Sequence, residues 1–207
     1  MKNIIECLGQ AEIRTPKVFL INSHRADQFD FKKMQMSFVE TVSDLKRDAM
    51  ILSLTDHSED ILEKKVEVLR KQIPDAAKSV ASFAKHETGE MPKLRPLMEI
   101  SCLYANQLGI STSSLQIISK NFKKDVSELK AIVNMKIPAI LASERNFAKY
   151  CTIYGIFLEG TETDEKNAYQ HFQIKCESVL KCMLEMCKDE SKKLQTKIAI
   201  WSHEDTK

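Results

Sequence analysis

The sequence predicts an all-α fold, a bundle of about five to six mostly antiparallel helices with a long C-terminal helix. Three observations predict it. Apolar residues alternate four and three apart through Leu62, Val66, Leu69, Ile73, Ala76, Val80 and Phe83, which lays one apolar stripe along one side of a helix. The same rhythm recurs in several later segments. Only five glycines and five prolines occur in 207 residues, a count that suits long helices and opposes a β-rich chain. Hydrophobic residues at 43% and charged residues at 29% describe an ordinary globular protein rather than a disordered one.

The elements follow in order. Residues 1–28 read as an irregular segment packed on the bundle, with a short helix over Asn3 to Gln10 and an extended run from Lys17 to Ile21 after Thr15-Pro16. Residues 29–207 read as the bundle domain. A first long helix covers Asp30 to Leu54 on the stripe Phe31, Met34, Phe38, Val42, Leu45, Ala49, Leu52. Asp56 and Glu59 form a capping-box pattern for the second helix, whose stripe keeps its phase across Pro74 with a kink there. The run Glu87-Thr88-Gly89-Glu90 with Pro92 and Pro96 is the strongest break. A third helix spans Pro96 to Leu108 and stops at Gly109. Ser111 or Ser113 caps a fourth, which buries Leu115, Ile118, Phe122, Val126, Leu129 and Val133 and continues to about Met135. Pro138 opens a fifth helix ending near Gly160. Asp164 and Glu165 open the last, whose acidic first turn suits the helix dipole. Its stripe runs through Tyr169, Phe172, Cys176, Val179, Met183, Cys187, Leu194 and Ile198. At 1.5 Å per residue it is roughly 50 Å long, and its charged stretch Lys188 to Lys197 is expected to project, fray or meet another subunit.

Composition narrows the function classes. A net charge of +2 exerts no global pull toward nucleic acid or anionic membrane. No apolar run is long enough to span a bilayer, and the N-terminus lacks a secretory pattern. The expected location is intracellular, cytoplasmic rather than nuclear. Six cysteines occur without a CxxC pair or zinc-like Cys/His spacing, so they read as reduced structural residues with no metal. No phosphate loop, Gly-x-Ser-x-Gly elbow or His-Glu-x-x-His is present. Asp56-His57-Ser58-Glu59-Asp60 reads as a capping turn. These absences predict a non-enzymatic protein without cofactor or catalytic residues.

The predicted function is that of an adaptor, scaffold or assembly subunit, a protein–protein interaction module working through apolar helix faces. Its partner is another protein or a second copy of itself. The candidate contact residues are Met186, Leu194, Ile198 and Trp201, with Trp201 as the anchor. The alternative partner is nucleic acid. Residues Ser101 to Ile118, with Ala105 at the close approach and Gly109 at the turn, resemble the helix-turn-helix family of DNA-binding motifs. The resemblance implies that Ser111, Thr112, Ser113, Gln116 and Lys120 face a groove. It also implies that Lys120, Lys123 and Lys124 meet phosphates.

Overall fold

The computed structural model describes residues 2–10, 16–22, 29–41, 44–54, 58–155 and 165–204. The architecture is all-α, as the apolar periodicity predicts, and it ends in a long C-terminal helix. The chain divides into two compact units, Met1–Asp56 and His57–Lys207.

The first unit holds α1 (Lys2–Gln10), α2 (Phe31–Thr41) and α3 (Asp44–Ser53). Residues 16–20 form neither helix nor strand, and Ile21 bridges Phe29 in antiparallel fashion. Asp30 closes this turn: its backbone N–H donates to the Leu20 carbonyl at 2.8 Å. Its carboxylate accepts from the Leu20 N–H at 3.3 Å and from Lys33 at 3.0 Å. One helix was expected over Asp30 to Leu54; the described residues of that span form α2 and α3, and residues 42–43 between them lie outside the described residues. The buried face of α2 is Gln35 and Val39, one residue on from the expected Met34 and Phe38, and Phe38 is 52% exposed.

The second unit holds α4 (Glu59–Ala84), α5 (Glu90–Gln107), α6 (Thr112–Phe122), α7 (Val126–Val133), α8 (Ile137–Ile140), α9 (Glu144–Ile153) and α10 (Glu165–Glu204). Helix α4 begins after Ser58, and the expected cap Asp56 lies outside the described residues. It runs unbroken through Pro74. Its stripe follows expectation at Leu62, Val66, Leu69, Ile73 and Val80, while the expected Ala76 and Phe83 give way to Ala77, Ala81 and Ala84 as buried residues. The cause is geometric. A four-and-three spacing averages 3.5 residues per turn, and against a 3.6-residue helix it drifts by about 20° per heptad.

Helix α10 lies antiparallel to α4. Lys192 meets Glu59 at 2.7 Å, Lys188 meets Glu63 at 2.8 Å, and Arg70 pairs with Glu185. Farther along, the Ser82 hydroxyl meets the Tyr169 hydroxyl at 3.1 Å. Each step up α4 is a step down α10, over roughly 35 Å of helix. Helix α5 packs against both. The core between them includes Leu69, Ile73, Leu97, Tyr104, Leu180 and Met183.

Two expected long helices are split. Lys123 adopts a left-handed conformation with φ 51° and ends α6, so α7 starts afresh with Asp125 as its cap. Ser143 caps α9 by accepting from the Asn146 N–H at 3.2 Å. Among the described residues, no helix is long and apolar enough to cross a membrane.

Candidate functional site

The second unit concentrates its buried polar groups where α4, α5, α8 and α10 meet. The C-terminal end of a helix leaves carbonyls without intrahelical partners. At α5 those carbonyls are taken by side chains from both neighbours. Ser191 of α10 donates to the Leu108 carbonyl at 2.7 Å, and Lys65 of α4 donates to the Gln107 carbonyl at 3.1 Å. Lys65 is only 6% exposed, and its cation suits the negative end of the α5 dipole. Nearby, the buried Glu190 carboxylate accepts from the backbone N–H groups of Lys136 and Ile137 at 2.6 and 3.1 Å. Tyr104, 2% exposed, has no hydrogen-bond partner for its hydroxyl among the described residues. Burial raises its pKa, with a smaller contribution from Cys187.

This polar seam was missed at the sequence level. The charged stretch from Lys188 to Lys197 was expected to leave the bundle. Instead Lys188 and Lys192 bind α4, Glu190 caps α8, Ser191 holds α5, and Leu194 is buried. The legible signal was Glu190-Ser191 standing in phase with Cys187 and Leu194, on the stripe side of the helix.

The expected contact residues do not form one exposed face. Met186 is half-buried and its sulfur accepts from the Tyr150 hydroxyl at 3.5 Å. Leu194 lies in the core and Ile198 is half-buried. The Trp201 ring packs against Phe122 at 5.9 Å between centroids, and the Lys124 ammonium stands 5.8 Å from it. One residue of each expected site, Trp201 and Lys124, is thus brought together at the ends of α6 and α10.

The corner between α5 and α6 is built as its sequence suggests. Ala105, Leu108, Ile110, Leu115 and Ile118 are buried, Gly109 has φ 75°, and the Ala105 carbonyl accepts from the Ile110 and Ser111 N–H groups. Ser111 caps α6 through the Ser114 N–H at 3.2 Å. Thr112, Ser113, Gln116, Lys120 and Lys123 are exposed, and Lys124 pairs with Glu128 at 3.6 Å.

The cysteines are built into helix packing. All six are free thiols. Burial pushes the thiols of Cys151 and Cys176 up to about 12, and that of Cys187 higher still. Such thiols are poor nucleophiles. Among the described residues, no group of three or more His, Cys, Asp or Glu is placed to hold a metal ion.

Comparison with known proteins supplies what this geometry does not. The profile of the family described as Interferon-inducible GTPase (IIGP) matches residues 1–198. The chain is 25% identical over 150 residues to Interferon-gamma-inducible GTPase 10 of Mus musculus, covering 69% of this chain and 34% of that protein. It is 21% identical over 144 residues to Interferon-inducible GTPase 1 of Mus musculus, covering 67% and 34%. A third relative, T-cell-specific guanine nucleotide triphosphate-binding protein 2 of Mus musculus, is 25% identical over 133 residues, covering 63% and 32%. The chain therefore spans about a third of the length of the curated relatives it matches.

These matches correct the functional expectation. The family is one of GTPases, so the reading as a non-enzymatic adaptor, scaffold or assembly subunit is overturned. The physical reason for the error is plain. A bundle is specified by its buried faces, and the pattern of buried faces does not encode a chemical activity.

Proposed function

The chain belongs to the interferon-inducible GTPase family, and from that membership we propose that it forms the helical part of a protein that binds and hydrolyses GTP. The carrying observation is a family match over residues 1–198 in a chain without a phosphate-cradling loop. The nearest approach to such a loop is Gly155 and Gly160, which have the right separation but are followed by Thr161-Glu162 rather than Lys and a hydroxyl residue. A phosphate loop needs that lysine at the β- and γ-phosphates and the hydroxyl on Mg²⁺. We accordingly assign the nucleotide site to sequence outside these 207 residues. The role of the bundle is to be a stiff helical body joined to the part that carries the nucleotide.

The interlocked α4–α5–α10 seam supports this reading, because helix ends held by buried side chains resist local opening. We place the protein inside the cell, where GTP is available and six free thiols stay reduced. The test is titration of the 207-residue chain with a fluorescent GTP analogue and Mg²⁺. No saturable signal is expected up to millimolar nucleotide, whereas a longer protein that carries the phosphate loop binds and turns over GTP. Saturable binding by the 207-residue chain alone would overturn the assignment.

A further inference from the structure

The first unit, Met1–Asp56, is too small to bury much of its own surface. Among its described residues, Val39, Ile51 and Leu54 are the buried apolar side chains, while Ile4, Ile5, Leu20, Ile21, Phe29 and Phe38 are exposed. Two of the exposed ones stand together. Ile21 and Phe29 lie directly opposite each other across the antiparallel bridge, so their side chains are neighbours.

Phe29 is also held in an unfavourable conformation. Its φ of 59° lies in the left-handed region, which a bulky residue rarely adopts. Lys123 and Asn134 share that region, but they end α6 and α7 as C-caps. Phe29 ends no helix. Asp30 fixes it there, through its N–H on the Leu20 carbonyl and its carboxylate on the Leu20 N–H and Lys33. The result is an aromatic ring 65% exposed on a clamped turn, and backbone strain of this kind gathers at functional sites.

We propose that Ile21 and Phe29 are the apolar anchor by which the first unit docks against the nucleotide-carrying part of the protein, an inference that rests on placing the nucleotide site outside these 207 residues. Two observations argue for that occupant. Val18-Phe19-Leu20-Ile21 is apolar in four successive residues, the pattern of a strand covered on both faces within a sheet. Yet residues 16–20 form no strand here, and Val18 and Phe19 make no backbone hydrogen bond among the described residues. A lone strand is not stable in water, so this run is suited to a sheet that another part supplies. A phosphate loop joins a strand to a helix, so the part that carries it contains strands. The second observation is length. The chain spans about a third of its curated relatives, which leaves ample polypeptide to cover the patch.

The experiment compares the 207-residue chain with a longer protein that carries the phosphate loop, each as wild type and as Phe29→Asn. Asparagine tolerates positive φ, so the variant keeps the turn and removes the ring. Hydrogen exchange follows the Val18 and Phe19 amides. The expected result is exchange about tenfold or more slower in the longer protein than in the chain, with Phe29→Asn cutting that gain by about threefold or more. In the chain, where the ring is exposed, Phe29→Asn leaves the urea midpoint of the first unit unchanged or raises it. A lowered midpoint there makes Phe29 part of the unit's own packing and overturns the proposal. Equal wild-type exchange in the chain and the longer protein also overturns it, and leaves the nucleotide assignment standing if only the longer protein binds GTP. Protection in the chain alone that grows with its concentration marks a second copy as the occupant and overturns the proposal too.

Discussion

Replacing Ser191 by alanine tests whether α10 is locked onto α5 by a buried hydrogen bond. The Ser191 hydroxyl donates to the Leu108 carbonyl at 2.7 Å, just past the C-terminal end of α5, where no intrahelical donor remains. Removing the donor leaves a buried carbonyl short of its partner, at a cost of about 1–3 kcal/mol. Alanine returns roughly 0.5 kcal/mol through its higher helix propensity. Ser178→Ala on the same helix serves as the control, because the Ser178 hydroxyl is exposed and donates to the Ile174 carbonyl of its own helix. The Ser191 hydroxyl, by contrast, also accepts a longer 3.4 Å bond from Gln195. The propensity gain cancels between the two variants. Ser191→Ala is therefore expected to be less stable than Ser178→Ala by about 1–3 kcal/mol. For a unit of this size that is a difference of roughly 2–10 °C in Tm. Urea unfolding followed by circular dichroism measures it, with equal m-values showing that the compactness of the end states is unchanged. Two variants within about 0.5 kcal/mol of each other would refute the claim that this bond locks the seam.

Two further outcomes are expected. Tyr104→Phe deletes a buried hydroxyl that has no partner among the described residues and keeps the ring. Its stability is expected to equal or exceed that of wild type by up to about 1 kcal/mol, and a comparable loss by urea unfolding would show that the hydroxyl is satisfied. Glu63 has its carboxyl pKa lowered by Lys188, the larger influence, and by Lys192. Its stabilising contribution is present above the ordinary glutamate value and is lost as pH falls through the lowered one. Lys188→Met should flatten that acid limb in a plot of Tm against pH, and an unchanged limb would assign the acid sensitivity to other groups.

The bundle was legible because its buried faces are written as periodic apolar residues. The corner around Gly109 shows this best: Ala105 was placed at the close approach and Leu115 and Ile118 on the buried face, and all three are buried. The phase of α4 beyond Pro74 was not legible. A stripe read at 3.5 residues per turn accumulates an error that only the neighbouring helix resolves, by selecting the small residues Ala77, Ala81 and Ala84. The break after Phe122 was equally hidden, because nothing in Lys123 announces a left-handed residue. Enzyme-family membership was out of reach for a different reason. At 21–25% identity, the kinship is spread over many weak positions, and no single motif in these residues carries nucleotide chemistry.

The sequence by itself determined that this chain is helical and that its helices carry apolar stripes, since helical periodicity and the aversion of apolar groups to water are local properties. The tertiary structure alone decided the fate of the polar residues within those stripes. For Lys65, Glu190 and Ser191 that fate is set only when α4, α5, α8 and α10 lie side by side. A buried polar group is tolerated only where a distant segment presents the matching donor or acceptor, and that match exists only in three dimensions.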